Sequence, residues 1–263
     1  MTTASVVMAV WNRLELTRAC LESLRGTSEP LELCVVDNGS TDGTAEYFRH
    51  WQHPFPLRYT RNADNIGLIR ALNQGAALGR GDLLCFLHND TEMRDLRWLS
   101  RLREALEDDG AGLAGLYGAR RLRRDCRYAG RTLVHCLEGA VNLPGDSTEV
   151  AAVDGVCLTI PRVLFGAVGG FDEGYGFFHG YDRDLSFAVR EAGRRCVVVN
   201  APFVHRGGGT RAADASPERT VADLQARRDA LARFASKWRH RLPCDVRTWR
   251  QRLADRFATH PPR

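Results

Sequence analysis

Four apolar, β-rich runs alternate with helix-patterned segments in the first third of the chain, and this alternation narrows the fold more than any other feature. The runs are ASVVMAV, LELCVVD, LRYTRN and LLCFLHN. Between them Leu16, Cys20, Leu21 and Leu24 recur at helical spacing, TDGTAEYFRHW reads as a helix capped by Thr41 or Asp42, and IGLIRALNQGAALGRGD reads as a helix stopped at Gly79 and Gly81. Asn12 is placed to cap the first helix. Strands separated by helices at this spacing pair in parallel through right-handed crossovers. Ligands of such sheets sit beyond the carboxyl ends of the strands. Trp11, Asp37 and Asp90 each fall just past a strand end and are expected to face one crevice.

The rest of the chain is less regular. GLAGLYGA, RTLVHCL and EVAAVDGVCLTI are strand-like, a Gly-rich aromatic stretch passes into a helix from about Asp182, and RRCVVVN is a further strand. A long helical pattern runs from Pro217 to Arg239, and another starts near Asp245. The 263 residues suffice for a substantial core. The expected division is a catalytic domain over 1–215 and a helical extension over 216–263.

Composition excludes several classes. No apolar run approaches membrane-spanning length, and Met1-Thr2-Thr3 leads directly into a strand, so a cytoplasmic location is expected. The eight cysteines are scattered without a C-x-x-C pair and read as buried thiols, neither disulfides nor zinc ligands. The net charge of +5 comes almost wholly from arginine, Lys237 being the only lysine. Arginine suits bidentate phosphate contacts, although a GC-rich genome is the preferred reading of the bias. The basic residues do not interleave with aromatics along one face, which argues against a nucleic-acid partner.

CFLHNDTEM raises the functional question, because an apolar strand runs straight into His88-Asn89-Asp90. Asn-Asp alone is ordinary turn chemistry. With SVVMAVWNR, CVVDNGSTDGT, NIGLIRALNQGAALGRGDLLCFLHNDT, GGFDEGYGFFHGYDRDLSFAVREAG and VHRGGGT in this order, the chain resembles the GT-A glycosyltransferases of family 2, with a nearer likeness to bacterial rhamnosyltransferase-type members. The likeness covers residues 4 to 240. It implies an α/β fold with a Rossmann-like, mixed but mainly parallel sheet flanked by helices and followed by C-terminal helices. It implies inverting transfer of a sugar from a nucleoside-diphosphate sugar to an acceptor hydroxyl, with Mn²⁺ or Mg²⁺ as cofactor.

Carried over residue by residue, the resemblance assigns Asp90 to the last acid of the Asp-x-Asp motif and His205 to a histidine that binds metal or diphosphate. A hard divalent cation held by such groups offsets charge on a leaving diphosphate. Val10, Trp11, Asn12, Asp37, Asn65, Asn73, His88 and Asn89 fall at donor positions. Asp37 matches an acid that reads base or ribose, while turn capping is its bland alternative. Trp11 suits base stacking or core packing equally, and Asn65 and Asn73 also serve local structure. Arg206 and Arg211 are weaker phosphate candidates. Asp182 stands at the general-base position, which also fits a helix cap, and Asp184 reads as a residue that caps or orients the helix.

The chain departs from the family at two places. His88 replaces the first acid of Asp-x-Asp, where metal binding, a donor-sugar contact and simple packing all stay open, and Tyr181 replaces the Glu that precedes the base. These departures keep a second reading open, a sugar-nucleotide-binding protein without transfer activity. A nucleotidyltransferase is disfavoured, since no Gly-rich, Lys-bearing loop lies near the N-terminus. In the C-terminal part, Val221, Leu224, Leu231 and Phe234 share one helical face, and Val246, Trp249, Leu253 and Phe257 another, beside Arg247, Arg250, Arg252 and Arg256. Packing on the catalytic domain or in a homodimer is the preferred reading of these faces; docking on an anionic membrane that carries lipid-linked acceptors is the other.

Overall fold

The structure is a computed structural model that describes residues 4–108, 110–129, 133–135, 145–207 and 217–257. Cys136, Arg211 and the expected 215/216 boundary lie outside the described residues.

The opening alternation forms as the sequence pattern requires. Strands β1 (Ala4–Val10), β2 (Leu31–Asp37), β3 (Leu57–Arg61) and β4 (Leu83–Leu87) are joined by helices α1 (Leu14–Ser23), α2 (Thr44–Arg49) and α3 (Leu68–Leu78). β1 pairs in parallel with β2 and with β4, and β2 in parallel with β3. Every residue of β2 and β4 is buried, as expected of strands covered on both faces. Gly75 of α3 faces β1 so closely that a Cβ there would lie 2.5 Å from Val7 Cγ1, so the missing side chain lets the helix settle on the sheet.

Next come β5 (Thr91–Met93), α4 (Trp98–Glu107), β6 (Ala111–Gly115), β7 (Tyr117–Ala119), β8 (Arg121–Leu122), β9 (Leu133–His135), β10 (Ser147–Val150), β11 (Ala152–Val153) and β12 (Cys157–Pro161). Among the described residues, α5 (Arg162–Ala167), α6 (Tyr181–Glu191), β13 (Arg195–Val199), β14 (Phe203–His205), α7 (Pro217–Lys237), β15 (Cys244–Asp245) and α8 (Trp249–Phe257) follow. The main sheet has eight strands in the order β10-β13-β6-β12-β4-β1-β2-β3. β12 is antiparallel to both its neighbours and β10 to its one, while β6 and β13 are parallel. The sheet is therefore mixed and mainly parallel.

Aromatic packing ties α6 to the sheet. Phe86 of β4 lies 4.6 Å from Phe171, whose ring meets Tyr181 edge-on at 5.2 Å, each contact worth about 1 kcal/mol beyond area burial. This fixes the first residue of α6 above the carboxyl end of β4. The second half of α7 seals the same region, with Ala230, Phe234 and Trp238 buried and Phe234 edge-on to Phe187 at 4.9 Å.

Several local expectations need correction. Asn12 does not cap α1. It adopts a left-handed conformation, and its Oδ1 accepts the Thr41 backbone N–H at 2.8 Å, while the Leu14 N–H is taken by Asp42 Oδ2 at 2.9 Å. Asp42 thus supports α1 from the neighbouring loop, and its Oδ1 also accepts the Thr44 hydroxyl ahead of α2. Asp184 does not cap α6 but anchors α7, accepting from Tyr175 Oη, Trp238 Nε1 and Lys237 Nζ. Of the C-terminal apolar faces, Phe234 is buried and Leu231 and Val246 pack partly buried against the core, whereas Val221, Leu224, Trp249 and Leu253 are exposed. The seven described cysteines are free thiols, six of them buried. No helix among the described residues is long and apolar enough to cross a membrane.

Candidate active site

The parallel run β4-β1-β2 brings Val10, Asp37 and Leu87 to one edge of the sheet, and a cavity of about 950 Å³ opens there. Of the residues singled out in the sequence, Val10, Trp11, Asn65, His88, Asn89, Asp90, Asp182 and His205 line it. Asn12, Asp37 and Asn73 do not.

Asp37 is fully buried, and its carboxylate is held within the chain. Oδ1 accepts the Ser40 N–H at 2.8 Å, Oδ2 accepts the Tyr59 hydroxyl at 2.8 Å, and Arg61 Nε stands 3.3 Å away. Both oxygens are thereby engaged within the chain, behind the cavity wall. The next residue reaches the cavity instead. Asn38 donates to Asn65 Oδ1 at 2.8 Å and accepts from Asn62 Nδ2 at 2.9 Å, which stiffens the loop beside Trp11. Asn73 is likewise structural, bonding to both the N–H and the C=O of Phe171 and to Glu173. Arg206 pairs with Glu92 at 2.9 Å and does not line the cavity.

His88, Asp90 and His205 converge at the cavity floor. One potential ligand atom from each lies within 4.8 Å of the others. His205 Nε2 is 3.2 Å and His88 Nδ1 4.0 Å from Asp90 Oδ1. The two-stranded pairing of β14 with β5 creates this meeting by setting His205 opposite Thr91. Burial pushes the Asp90 carboxyl up, but the His205 hydrogen bond and the charge of both imidazoles outweigh it and leave the pKa below its ordinary value. Burial depresses His205, but the Asp90 hydrogen bond and charge raise its pKa above 6.5. Two imidazoles and one ionised carboxylate within a few ångströms form a donor set that fits a divalent transition ion such as Mn²⁺ better than Mg²⁺, which prefers an all-oxygen shell.

Asp182 sits in the first turn of α6, and its Oδ2 accepts the Gly155 N–H at 3.3 Å. Tyr181 is buried, and its hydroxyl contacts His88 Nε2 at 3.1 Å. Burial, then the Asp182 charge, hold the Tyr181 phenol well above its ordinary pKa.

Three lining features escaped the sequence reading. Asp154 has its pKa raised to about 6, first by burial and then by the Asp182 charge. In sequence it is only an Asp-Gly pair after a short strand, which looks like any turn. Arg183 stacks over Tyr128 at 4.6 Å, and in sequence it was one arginine among many. α7 supplies the cavity wall with Asp223, Ala226, Arg227, Ala230, Leu231 and Phe234, and Asp223 is held by His179 Nε2 at 2.8 Å. The helical spacing of these six was a usable signal.

A mixed sheet of this order, with an acid-and-imidazole centre beyond its strand ends, defines the GT-A class of nucleotide-sugar transferase folds. Residues 5–133 match the sequence model described as Glycosyl transferase family 2. It is 28% identical over 232 residues to the O-antigen biosynthesis protein RfbC of Myxococcus xanthus, a match that covers 81% of this chain and 18% of that one. The chain thus spans less than a fifth of that relative's length. Among solved structures, GalNAc-T7 with UDP, GalNAc and Mn²⁺ superposes with a TM-score of 0.62 at 18% identity, covering 78% of this chain and 43% of the other. The mannosyltransferase PcManGT of Pyrobaculum calidifontis, in complex with GDP-Man and Mn²⁺, gives 0.57 at 19% identity, covering 86% and 69%. At these identities the likeness fixes the fold.

Proposed function

We propose that the chain is a Mn²⁺-dependent inverting glycosyltransferase that moves a sugar from a nucleoside-diphosphate sugar to an acceptor hydroxyl in polysaccharide or glycoconjugate synthesis. The observation that carries this reading is the sharing of one cavity by the His88–Asp90–His205 cluster and Asp182. In it Val10, Trp11, Asn38 and Asn65 form the nucleotide end, with Trp11 stacking on the base. His88, Asp90 and His205 hold the ion, which when bound supplies positive charge against the departing diphosphate. Asp182 takes the proton of the acceptor hydroxyl as its oxygen attacks the anomeric carbon from the face opposite the diphosphate. Asp223 and Arg227 line the acceptor side, so α7 is part of the site rather than an appendage. The lipid-linked acceptor class agrees with an arginine-flanked, exposed Trp249 and Leu253 on α8, which suit peripheral contact with the cytoplasmic face of an anionic membrane.

The test is donor turnover with and without Mn²⁺. Sugar-nucleotide hydrolysis or transfer that needs Mn²⁺ and disappears in both Asp90→Ala and Asp182→Asn is the expected result. Binding of sugar nucleotides without any turnover by the unaltered chain would instead identify a silent binding protein, the reading that Tyr181 at the usual acid position favours.

A further inference from the structure

His88 and Tyr181, the two departures from the family pattern, stand 93 positions apart in sequence and are hydrogen-bonded to each other in the fold, Nε2 to Oη at 3.1 Å. The Tyr181 hydroxyl also lies 3.4 Å from the Gly155 carbonyl oxygen. A carbonyl can only accept, so a phenol proton directed there leaves Oη to accept from His88. The proton between Tyr181 and His88 must then be the one on Nε2. In a neutral imidazole this leaves the lone pair on Nδ1, the nitrogen turned toward Asp90 Oδ1.

We propose that Tyr181 is a positioning residue for the cation centre, whose hydroxyl accepts the His88 Nε2–H and so fixes the ring and the tautomer with Nδ1 directed at the point shared with Asp90 and His205. The assignment rests on the metal-dependent reading above.

The surroundings are built for this contact. Tyr181 is 4% exposed, and its ring is set by Phe171. A Cβ on Gly155 would lie 2.1 Å from the phenol oxygen, so the hydroxyl reaches the carbonyl only because residue 155 has no side chain. Gly155 also donates its N–H to Asp182. Consecutive residues of α6 therefore grip the N–H and the C=O of one residue, one linking toward the ion ligands and the other being the proposed base. A purely packing role would be filled as well by phenylalanine, and this separates the two explanations.

Tyr181→Phe removes only the oxygen. Mn²⁺ affinity measured by calorimetry or by electron paramagnetic resonance, without nucleotide, is expected to fall about tenfold or more, as when the outer partner of a ligating histidine is lost. In a His88→Ala background the same change should cost nothing further. Nitrogen-15 spectra of the metal-free protein should show His88 as the Nε2–H tautomer, and a mixture of tautomers in Tyr181→Phe. An Nδ1–H tautomer in the unaltered protein, an unchanged Mn²⁺ affinity in Tyr181→Phe, or an equal loss in the His88→Ala background each overturns the assignment. Absence of Mn²⁺ binding in the unaltered protein overturns the cation centre itself, whereas a wrong tautomer with normal binding sinks only the role of Tyr181.

Discussion

His205 Nε2 and Asp90 Oδ1 stand 3.2 Å apart, brought together by a three-residue strand pairing that no part of the main sheet contributes to. In the metal-free protein the pair favours a proton on His205, whose pKa is raised despite its burial. A raised histidine pKa adds stability that is complete below about 6.5 and is lost as pH rises through the folded value. The cation needs that nitrogen unprotonated. Mn²⁺ affinity should therefore climb with pH through the elevated His205 pKa and level off above it. In His205→Ala the slope should largely vanish, along with most of the affinity. Mn²⁺ titrations across the range from pH about 6 to about 9 test this, and a flat profile in the unaltered protein contradicts it.

Asp154 gives a second pH signature of the same sense. Its pKa is raised to about 6 by burial and by Asp182, so the folded chain holds this proton more tightly than the unfolded one. Stability from this group is present at low pH and is lost as pH rises from 3.8 to about 6. Asp154→Asn should therefore raise stability above pH 6 by about 2 kcal/mol, allowing for partial exposure. Ionisation of Asp154 adds a negative charge to the cavity that Asp182 also lines. Transfer should then rise with pH through about 6 and lose that limb in Asp154→Asn, in return for the gain in melting temperature. Melts and pH–rate profiles of the two proteins provide the check.

The legibility of this chain followed the length of its elements. Strands as apolar as β1, β2 and β4 are fixed by pattern alone, and with them the edge where Val10 and Leu87 end. Asp90 and His205 were assigned to a metal through the family resemblance and His88 to the donor, and the fold sets a potential ligand atom of each within 4.8 Å of the others. What could not be read was the use each polar group makes of its neighbours. Asp37 and Asn73 look like site residues in sequence, yet they spend their hydrogen bonds on Ser40, Tyr59 and Phe171. Asp154 looks like a turn and faces the cavity, because β11 is two residues long and leaves almost no periodicity to read. The six-residue α5 was missed for the same reason.

Lys237 joins Asp172 at 3.0 Å to the buried Asp184 at 2.9 Å, and this tie fastens α7 to the body of the protein. Lys237→Met leaves the carboxylate of Asp184 with two neutral donors, Tyr175 Oη and Trp238 Nε1. The loss should be about 2 kcal/mol in urea unfolding, the worth of a hydrogen bond to a charged group. Because α7 also lines the cavity, acceptor KM should increase more than kcat falls. Lys237→Arg should recover part of both.

The exposed stripe on α8 supports the last prediction. Trp249 and Leu253 are 68% and 46% exposed, one helical turn apart, and Arg250 and Arg252 flank them. Isolated exposed apolar residues are ordinary, but an exposed tryptophan and leucine on one turn beside arginine fit an anionic interface. Vesicles rich in anionic phospholipid should sediment the protein, and neutral ones should not. Burying two such side chains in the interface contributes enough that Trp249→Ala with Leu253→Ala should weaken vesicle binding roughly tenfold or more. Mn²⁺ affinity should be unchanged in the double variant, since neither residue lines the cavity. Equal sedimentation of the variant and the unaltered protein would move the role of this face from the membrane to a protein partner, and the oligomeric state of the two proteins would then test for a second copy of the chain.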